Sequence, residues 1–374
     1  MSLKTFLLED YYDKYEFSTP YLLSQSDCES MTVEALLAMV PGSREKFMES
    51  WLGYTEARGS LPLREKIAAL YEKMGSEQIL IHAGAEEAIF NFMQIFLNPG
   101  DHMIYMAPAY QSLYEVGISL KCEASPWQLQ QGDGGWTLDM GELENLIQPN
   151  TKLIVINTPH NPTGYSLSTG ELEAIISLAR ENNIFVFCDQ VYKGLEWDDQ
   201  PHPWLCDRYE NSLSLGVMSK AYGLAGLRIG WIATQNAQVY EQMLKYKYYT
   251  TICSSGPSEF LSMVALEQGE AIIQRNLEII QGNLAYAEGF FRKYDQYFLN
   301  NRPAAGPIGF HQLKIPGEIN AFCQDLIQKK GVLLLPGDVY EVKGDYFRMG
   351  YGRKNFKESL DRLAAYLEEA FPGF

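Results

Sequence analysis

Through the middle of the chain, short runs of aliphatic and β-branched residues alternate with amphipathic stretches. The runs fall at Gln78 to His82, His102 to Ala107, Leu153 to Asn157, Ile184 to Cys188, Leu213 to Met218 and Ile229 to Ala233. Between some of them, apolar residues recur at i, i+3, i+4 and i+7: Ile89, Phe92, Met93 and Phe96, then Leu172, Ile175, Ile176 and Ala179. That spacing buries one face of a helix. Strand and helix in alternation predict an α/β fold, with a mostly parallel sheet covered by helices on both faces. After about residue 275 the pattern changes to a long helical region, a run at Gly309 to Ile315, a helix near Ile319 to Lys330, runs at Val332 to Leu335 and Tyr346 to Tyr351, and a closing helix. This predicts a smaller α+β domain that the N-terminal segment joins. The expected division is 1–45 as an N-terminal arm belonging to the small domain, 46–275 as the large domain and 276–374 as the small C-terminal domain. A chain of 374 residues exceeds the usual size of a single core, which supports two unequal domains.

Composition narrows the function classes. No stretch of about 18 uninterrupted apolar residues could span a bilayer. The opening MSLKTFLLEDYYDKYEF turns acidic at once, without the apolar core of a signal peptide, so a cytoplasmic location is the default expectation. A formal charge of −17 opposes attraction to nucleic acid or anionic lipid, and neither is expected as a partner. Cys28, Cys122, Cys188, Cys206, Cys253 and Cys323 form no CxxC pair and no zinc spacing, and read as reduced thiols. The histidines show no HExxH arrangement, so no metal site is expected.

In a parallel sheet, ligands bind outside the carboxyl ends of the strands. The residues just past each apolar run therefore carry the candidate chemistry. In VMSKAYGLAGLRIGW, Lys220 follows a strand and Arg228 lies eight residues on, among Gly223, Gly226 and Gly230. A lysine at a strand end can simply reach solvent. A desolvated lysine is instead a nucleophile towards carbonyls, with a Schiff base as its product. An arginine fork suits a phosphate, and glycines permit close backbone approach to it. Together the two suggest an aldehyde that carries a phosphate. Gly84, Ala85 and Glu86 open a helix after a strand, where backbone amides can cradle an anion. The Glu86 side chain should then point away from that anion. NTPHNPTG places Asn161 in a rigid turn, CDQVY places Asp189 at a strand end with Tyr192 nearby, and APAYQSLY offers the aromatic face of Tyr110. Asp189 can cap a helix or hold a protonated ring nitrogen.

The ordered set GAEEA, PAY, NTPHNPTG, DQVY, SK and GLRIG resembles the fold-type I pyridoxal-phosphate enzymes, specifically the class I/II aminotransferases, from about Tyr54 to Arg348. The resemblance implies pyridoxal 5'-phosphate as cofactor, bound through Lys220 to its aldehyde. It implies that Arg228, Gly84, Ala85, Glu86 and Ser219 surround the phosphate, and that Tyr110 stacks on the ring. Asp189 would pair with the ring nitrogen, and Asn161 and Tyr192 with the ring hydroxyl. Arg348, in GDYFRMGYG, would bind the substrate α-carboxylate beside Asn161, and Tyr54 would reach the phosphate of a neighbouring subunit in a homodimer with shared sites. The implied reaction moves an amino group between an α-amino acid and a 2-oxo acid.

Two departures bear on this expectation. Val217 stands three residues before the lysine, where the family often has a hydroxyl on the phosphate, and LLSQSDCESM (Leu22 to Met31) replaces the glycine-rich stretch that commonly lines the substrate pocket. The same residues would serve a lyase or a cyclase, and LLEDYYDKY loosely resembles capreomycidine-synthase-like relatives, which use this cofactor for elimination and cyclisation on an arginine derivative. A cofactor-binding regulator without turnover is the reading from a different class.

Overall fold

The computed structural model describes residues 3–132, 135–198, 200–315 and 317–372. Eight strands form the main sheet in the spatial order Ile79–His82, Gly230–Ala233, Ser212–Val217, Phe185–Asp189, Thr151–Asn157, His102–Ala107, Glu123–Gly132 and Gly135–Leu138. Strand Gly230–Ala233 runs antiparallel to both of its neighbours, and Gly135–Leu138 runs antiparallel to Glu123–Gly132; the other pairs are parallel. Neighbouring residues of one strand go to different cores: Leu153, Val155, Phe185 and Phe187 join one apolar cluster, while Ile154, Ile156, Val186 and Cys188 join another. The sheet is thus packed on both faces, which is why its central strands read as unbroken apolar runs.

The helices follow the sequence spacing. Helix Ala85–Phe96 buries Ala88, Ile89, Phe92 and Met93. Phe92 sits 5.4 Å from the ring of Phe185 and 5.0 Å from that of Phe187, which ties this helix to the strand that ends in Asp189. Burying one such side chain stabilises by about 2–3 kcal/mol. Helix Thr169–Glu181 starts with a capping box, Ser168 accepting from the Glu171 amide and Glu171 accepting from the Ser168 amide.

A second sheet is antiparallel, in the order Phe298–Leu299, Ile308–Leu313, Tyr346–Gly350 and Leu335–Pro336. Helix Ile319–Lys330 packs against its strand Leu335–Pro336, helix Phe356–Ala370 packs against Ile319–Lys330 and Gly269–Lys293, and Gly269–Lys293 runs unbroken through residue 275. Near the N-terminus, Tyr21–Leu22 pairs in parallel with Val332–Leu333. The helix Leu7–Tyr15 touches both parts of the chain: Gln111 Oε1 accepts from the Leu7 amide at 2.9 Å, and Tyr11 donates to the Leu334 carbonyl at 3.0 Å. This short helix therefore lies across the junction where the sheet's strand ends open.

Candidate active site

Register places the strand ends side by side. Asn157 pairs with Asp189, and Asp189 with Leu215, two residues before Val217 and five before Lys220. One cavity, opening at these ends, is lined by Ala85, Glu86, Tyr110, Asn161, Asp189, Tyr192, Val217, Ser219, Lys220, Arg228 and Arg348. Gly84 is not among the lining residues but precedes Ala85 as the N-cap of helix Ala85–Phe96. Tyr54 is not among the lining residues and is 83% exposed.

Lys220 donates from Nζ to Ser26 Oγ at 2.9 Å, and its ammonium lies 5.9 Å from the centre of the Tyr192 ring. Burial holds it below the ordinary lysine range, with the Asp27 carboxylate opposing that shift. Asp189 is buried and takes the Val191 amide on Oδ1 at 3.1 Å. Burial pushes its carboxyl up to about 7, against the Val191 amide and Lys220. In a cofactor-free protein, this penalty falls on the charged form. A carboxyl raised from 3.8 to about 7 on folding binds protons that the unfolded chain has released, so its share of stability is lost as pH rises through that window. Asp189→Asn is therefore expected to raise the Tm of the cofactor-free protein more at pH 8 than at pH 5. An equal change at both pH values would show that the carboxyl ionises normally.

The cradle beside Arg228 depends on two glycines. Gly84 adopts φ 86°, and a Cβ there would stand 2.6 Å from Arg228 Nη2. A Cβ on Gly230 would meet the Gly84 carbonyl carbon at 2.6 Å and the Ala85 nitrogen at 2.8 Å. Their absence lets the returning strand bring the guanidinium against the start of a helix, a combination suited to an anion. Glu86 corrects an expectation. Its side chain faces the cavity rather than away from it, accepting from Ser112 Oγ at 3.1 Å. Burial pushes this carboxyl up to about 7, with Ser112 and Arg228 opposing, so it can hold a proton beside an anion instead of repelling it.

Arg348 is 1% exposed and all its donors are engaged. Nε and Nη2 donate to the Ser24 carbonyl at 3.1 and 2.8 Å, Nη2 also to Tyr12 Oη at 2.6 Å, and Nη1 to Tyr340 Oη at 2.6 Å and Asn161 Oδ1 at 3.1 Å. Asn161 Oδ1 also accepts from Tyr340, which leaves its amide nitrogen without a protein partner among the described residues. Tyr110 donates to Glu9 Oε1 at 2.8 Å.

Sequence reasoning missed Tyr12, Ser24, Ser26, Asp27 and Tyr340, although two of the stretches that hold them stood out as unusual. It also missed the support beneath the cradle. Glu87 Oε2 accepts from the Ala83 amide at 2.6 Å and Oε1 from Thr251 at 2.7 Å, with Lys247 Nζ 3.8 Å from Oε2 and fully buried. Burial works against the charge on Glu87, but donors from His82, Thr250 and Ala83 outweigh it and hold the carboxyl well below its usual range.

The chain matches the family described as Aminotransferase class I and II over residues 21–367. It is a class I/II aminotransferase. Its relatives include a Bacillus subtilis (strain 168) protein named "Probable N-acetyl-LL-diaminopimelate aminotransferase", 30% identical over 84% of this chain and 80% of the relative. Capreomycidine synthase of Streptomyces vinaceus is 27% identical over 97% of this chain and 92% of its own length. A solved PLP-dependent aminotransferase from Streptococcus suis 89-1591 superposes with a TM-score of 0.93 at 31% identity, over 99% of both chains. This aminotransferase uses pyridoxal 5'-phosphate and moves an amino group between an α-amino acid and a 2-oxo acid. No described helix is long and apolar enough to cross a membrane.

The residues present fit the cofactor. The cradle made by Gly84, Gly230 and Arg228 is a space that any Cβ would fill. The Tyr192 hydroxyl is buried without a hydrogen bond among the described residues, although Ser26 is close enough to act on it. A buried hydroxyl left in this way calls for a ligand atom.

Proposed function

We propose that Lys220 holds the aldehyde carbon of the cofactor and that the cavity around it is the transamination site. The observation that carries this reading is the convergence of Lys220, Asp189, Asn161, Tyr192, Arg228 and Arg348 on one cavity from separate strand ends and from the second sheet. Arg228, Ser219, Ala85 and Gly84 would hold the phosphate, with Glu86 bonded to it in its protonated form. Tyr110 would cover the ring face. Asp189 would take the proton-bearing ring nitrogen, a charge partner that restores its ionised state. The free amide of Asn161 and the unpartnered hydroxyl of Tyr192 would meet the ring hydroxyl.

When bound, pyridoxal phosphate supplies the carbon that receives the amino group and a ring that accepts the electron pair released at Cα. The protein does the rest. Arg348 would fix the substrate carboxylate by giving up its bonds to the Tyr12 and Tyr340 hydroxyls, with Asn161 holding one edge of the guanidinium. Lys220, its basicity tuned by burial, takes the proton from Cα and returns it on the other side of the transferred nitrogen. Val217 contributes no hydroxyl to the phosphate, so Arg228 and the backbone carry most of that contact. The test is product analysis: protein loaded with the cofactor, given an amino acid and pyruvate or 2-oxoglutarate, is expected to yield matched amounts of new keto acid and new amino acid. Ammonia in place of the new amino acid would assign the site to a lyase.

We further propose a homodimer in the cytoplasm, with Tyr54 reaching the phosphate of the other subunit. Tyr54 lies with Met48, Trp51 and Leu52, 77–83% exposed, and near Tyr249, 89% exposed; Thr55 donates to the Ser254 carbonyl at 2.8 Å and joins the two segments. Apolar surface of this kind marks an interface. Tyr54→Phe is expected to weaken cofactor binding several-fold without changing the Tm of the cofactor-free protein, and a monomer in sedimentation at micromolar concentration would refute the shared site.

A further inference from the structure

The segment Leu22 to Met31, where the sequence departs from the glycine-rich stretch, reaches the cavity through Gln25, Ser26 and Asp27. Of these, Ser26 touches Lys220, its Oγ accepting from Nζ at 2.9 Å. Among the described residues no other atom accepts a hydrogen bond from that amine. The charged groups that act on it, Asp27, Arg348, Glu9 and Asp189, form no salt bridge with it among the described residues.

The chain pins Ser26 in this place from both flanks. Leu23 donates to the Leu333 carbonyl at 3.0 Å and accepts from the Gly350 amide at 2.6 Å, and Arg348 donates twice to the carbonyl of Ser24. A Cβ on Gly350 would overlap the Gln25 carbonyl, and one on Gly352 the Asp27 carbonyl, so these glycines let the segment lie against the end of the strand that carries Arg348. Asp27 takes Arg353 Nη2 on both oxygens at 2.9 Å, and Glu29 Oε2 takes the Lys354 amide at 3.0 Å. On the other flank, Arg275 Nη2 donates to the Glu29 carbonyl at 3.0 Å. A Cβ on Gly223, whose amide donates to the Lys220 carbonyl at 3.1 Å, would stand 2.7 Å from that same Glu29 carbonyl. Ser26 therefore sits between the strand of Arg348 and the turn of Lys220, and its hydroxyl is a fixed acceptor.

We infer that Ser26 is a positioning residue for proton transfer at Cα, its hydroxyl holding the Lys220 amine in one place each time the reaction frees it from the cofactor. This rests on the proposed reading of the site, in which Lys220 is both the tether and the base. A freed amine on a four-carbon stem has many rotamers, and few of them bring its lone pair to the reacting carbon. An oxygen that accepts one N–H fixes the nitrogen and leaves the lone pair for the proton, which removes part of the orientational cost of the step. Burial favours the neutral amine, so the lone pair is available. A stretch of glycines would offer no side-chain acceptor, so this contact comes with the departure in sequence.

The test compares Ser26→Ala and Ser26→Thr with the unaltered enzyme, each loaded with pyridoxal phosphate. Single turnovers are followed by cofactor absorbance, using the amino acid that the product analysis above identifies, with hydrogen or deuterium at Cα. Ser26→Ala is expected to slow conversion about tenfold or more, with deuterium slowing it further and the apparent Kd of the amino acid changing by less than about twofold. Ser26→Thr keeps the oxygen and is expected to recover most of the rate. A second readout needs no turnover. In the cofactor-free protein, labelling of Lys220 by acetic anhydride against pH, read by peptide mass, reports where the amine loses its proton. The Ser26 oxygen favours the ammonium, the stronger donor, so Ser26→Ala is expected to move that midpoint downward while Asp27, Glu9, Asp189 and Arg348 stay in place. A Ser26→Ala rate within about twofold of the unaltered enzyme, or a slowing that deuterium does not deepen, would overturn the inference while leaving Lys220 as the tether. An unmoved labelling midpoint would overturn it as well. If borohydride reduction places the cofactor on a lysine other than Lys220, the proposed site itself fails and the inference falls with it.

Discussion

Lys220→Ala is expected to lower transamination by roughly 10³-fold or more while leaving cofactor bound, because in the proposed site the side chain removed would be both the tether and the base. The position explains the size of the effect. The Nζ atom is fixed by Ser26 at 2.9 Å, and burial favours its neutral form, the form able to take a proton. Asp27 lies close enough to act on Lys220, but both of its oxygens are held by Arg353. The proposed phosphate cradle at Gly84, Gly230 and Arg228 does not involve the lysine, so the variant should still show cofactor absorbance. Steady-state kinetics beside that absorbance separates lost chemistry from lost cofactor. A variant that kept near-normal kcat would remove Lys220 from the mechanism.

Arg348→Lys is expected to cut kcat/KM for amino acids by roughly 10²- to 10³-fold, about 3–4 kcal/mol of transition-state binding. An ammonium is a point charge and cannot present two parallel donors to a carboxylate. The substitution also strips hydrogen bonds from Tyr12, Tyr340, Asn161 and the Ser24 carbonyl, so the Tm should fall as well. A control isolates the carboxylate: an amine that lacks it, tested against its parent amino acid, should lose much less between wild type and variant. Equal losses for the two would make Arg348 a structural residue.

The central sheet was readable because its strands are buried on both faces and so are continuously apolar; six strands fall within about two residues of their runs. The strands Glu123–Gly132 and Gly135–Leu138 were not readable. In EASPWQLQQG only Trp127 and Leu129 are buried, and the polar positions and proline between them read as a loop, because these strands occupy the margin of the sheet. The strand-end residues were legible for a related reason: in a parallel sheet the carboxyl ends must converge, and Lys220, Asp189 and Asn161 follow such ends. The other wall of the cavity was not. Lys220 meets Ser26 across 194 positions, and Arg348 meets Tyr12 across 336, distances over which no local periodicity carries information. Glu86 shows a different limit. Charge alone suggested that it should turn outward, whereas burial and Ser112 allow it to face the cavity as an acid.

The most direct test of the account is where the cofactor attaches. Protein loaded with pyridoxal phosphate, reduced with borohydride and digested, is expected to carry the cofactor's mass on the peptide containing Lys220. Attachment at another lysine, such as the buried Lys247, or no attachment at all, would contradict the account.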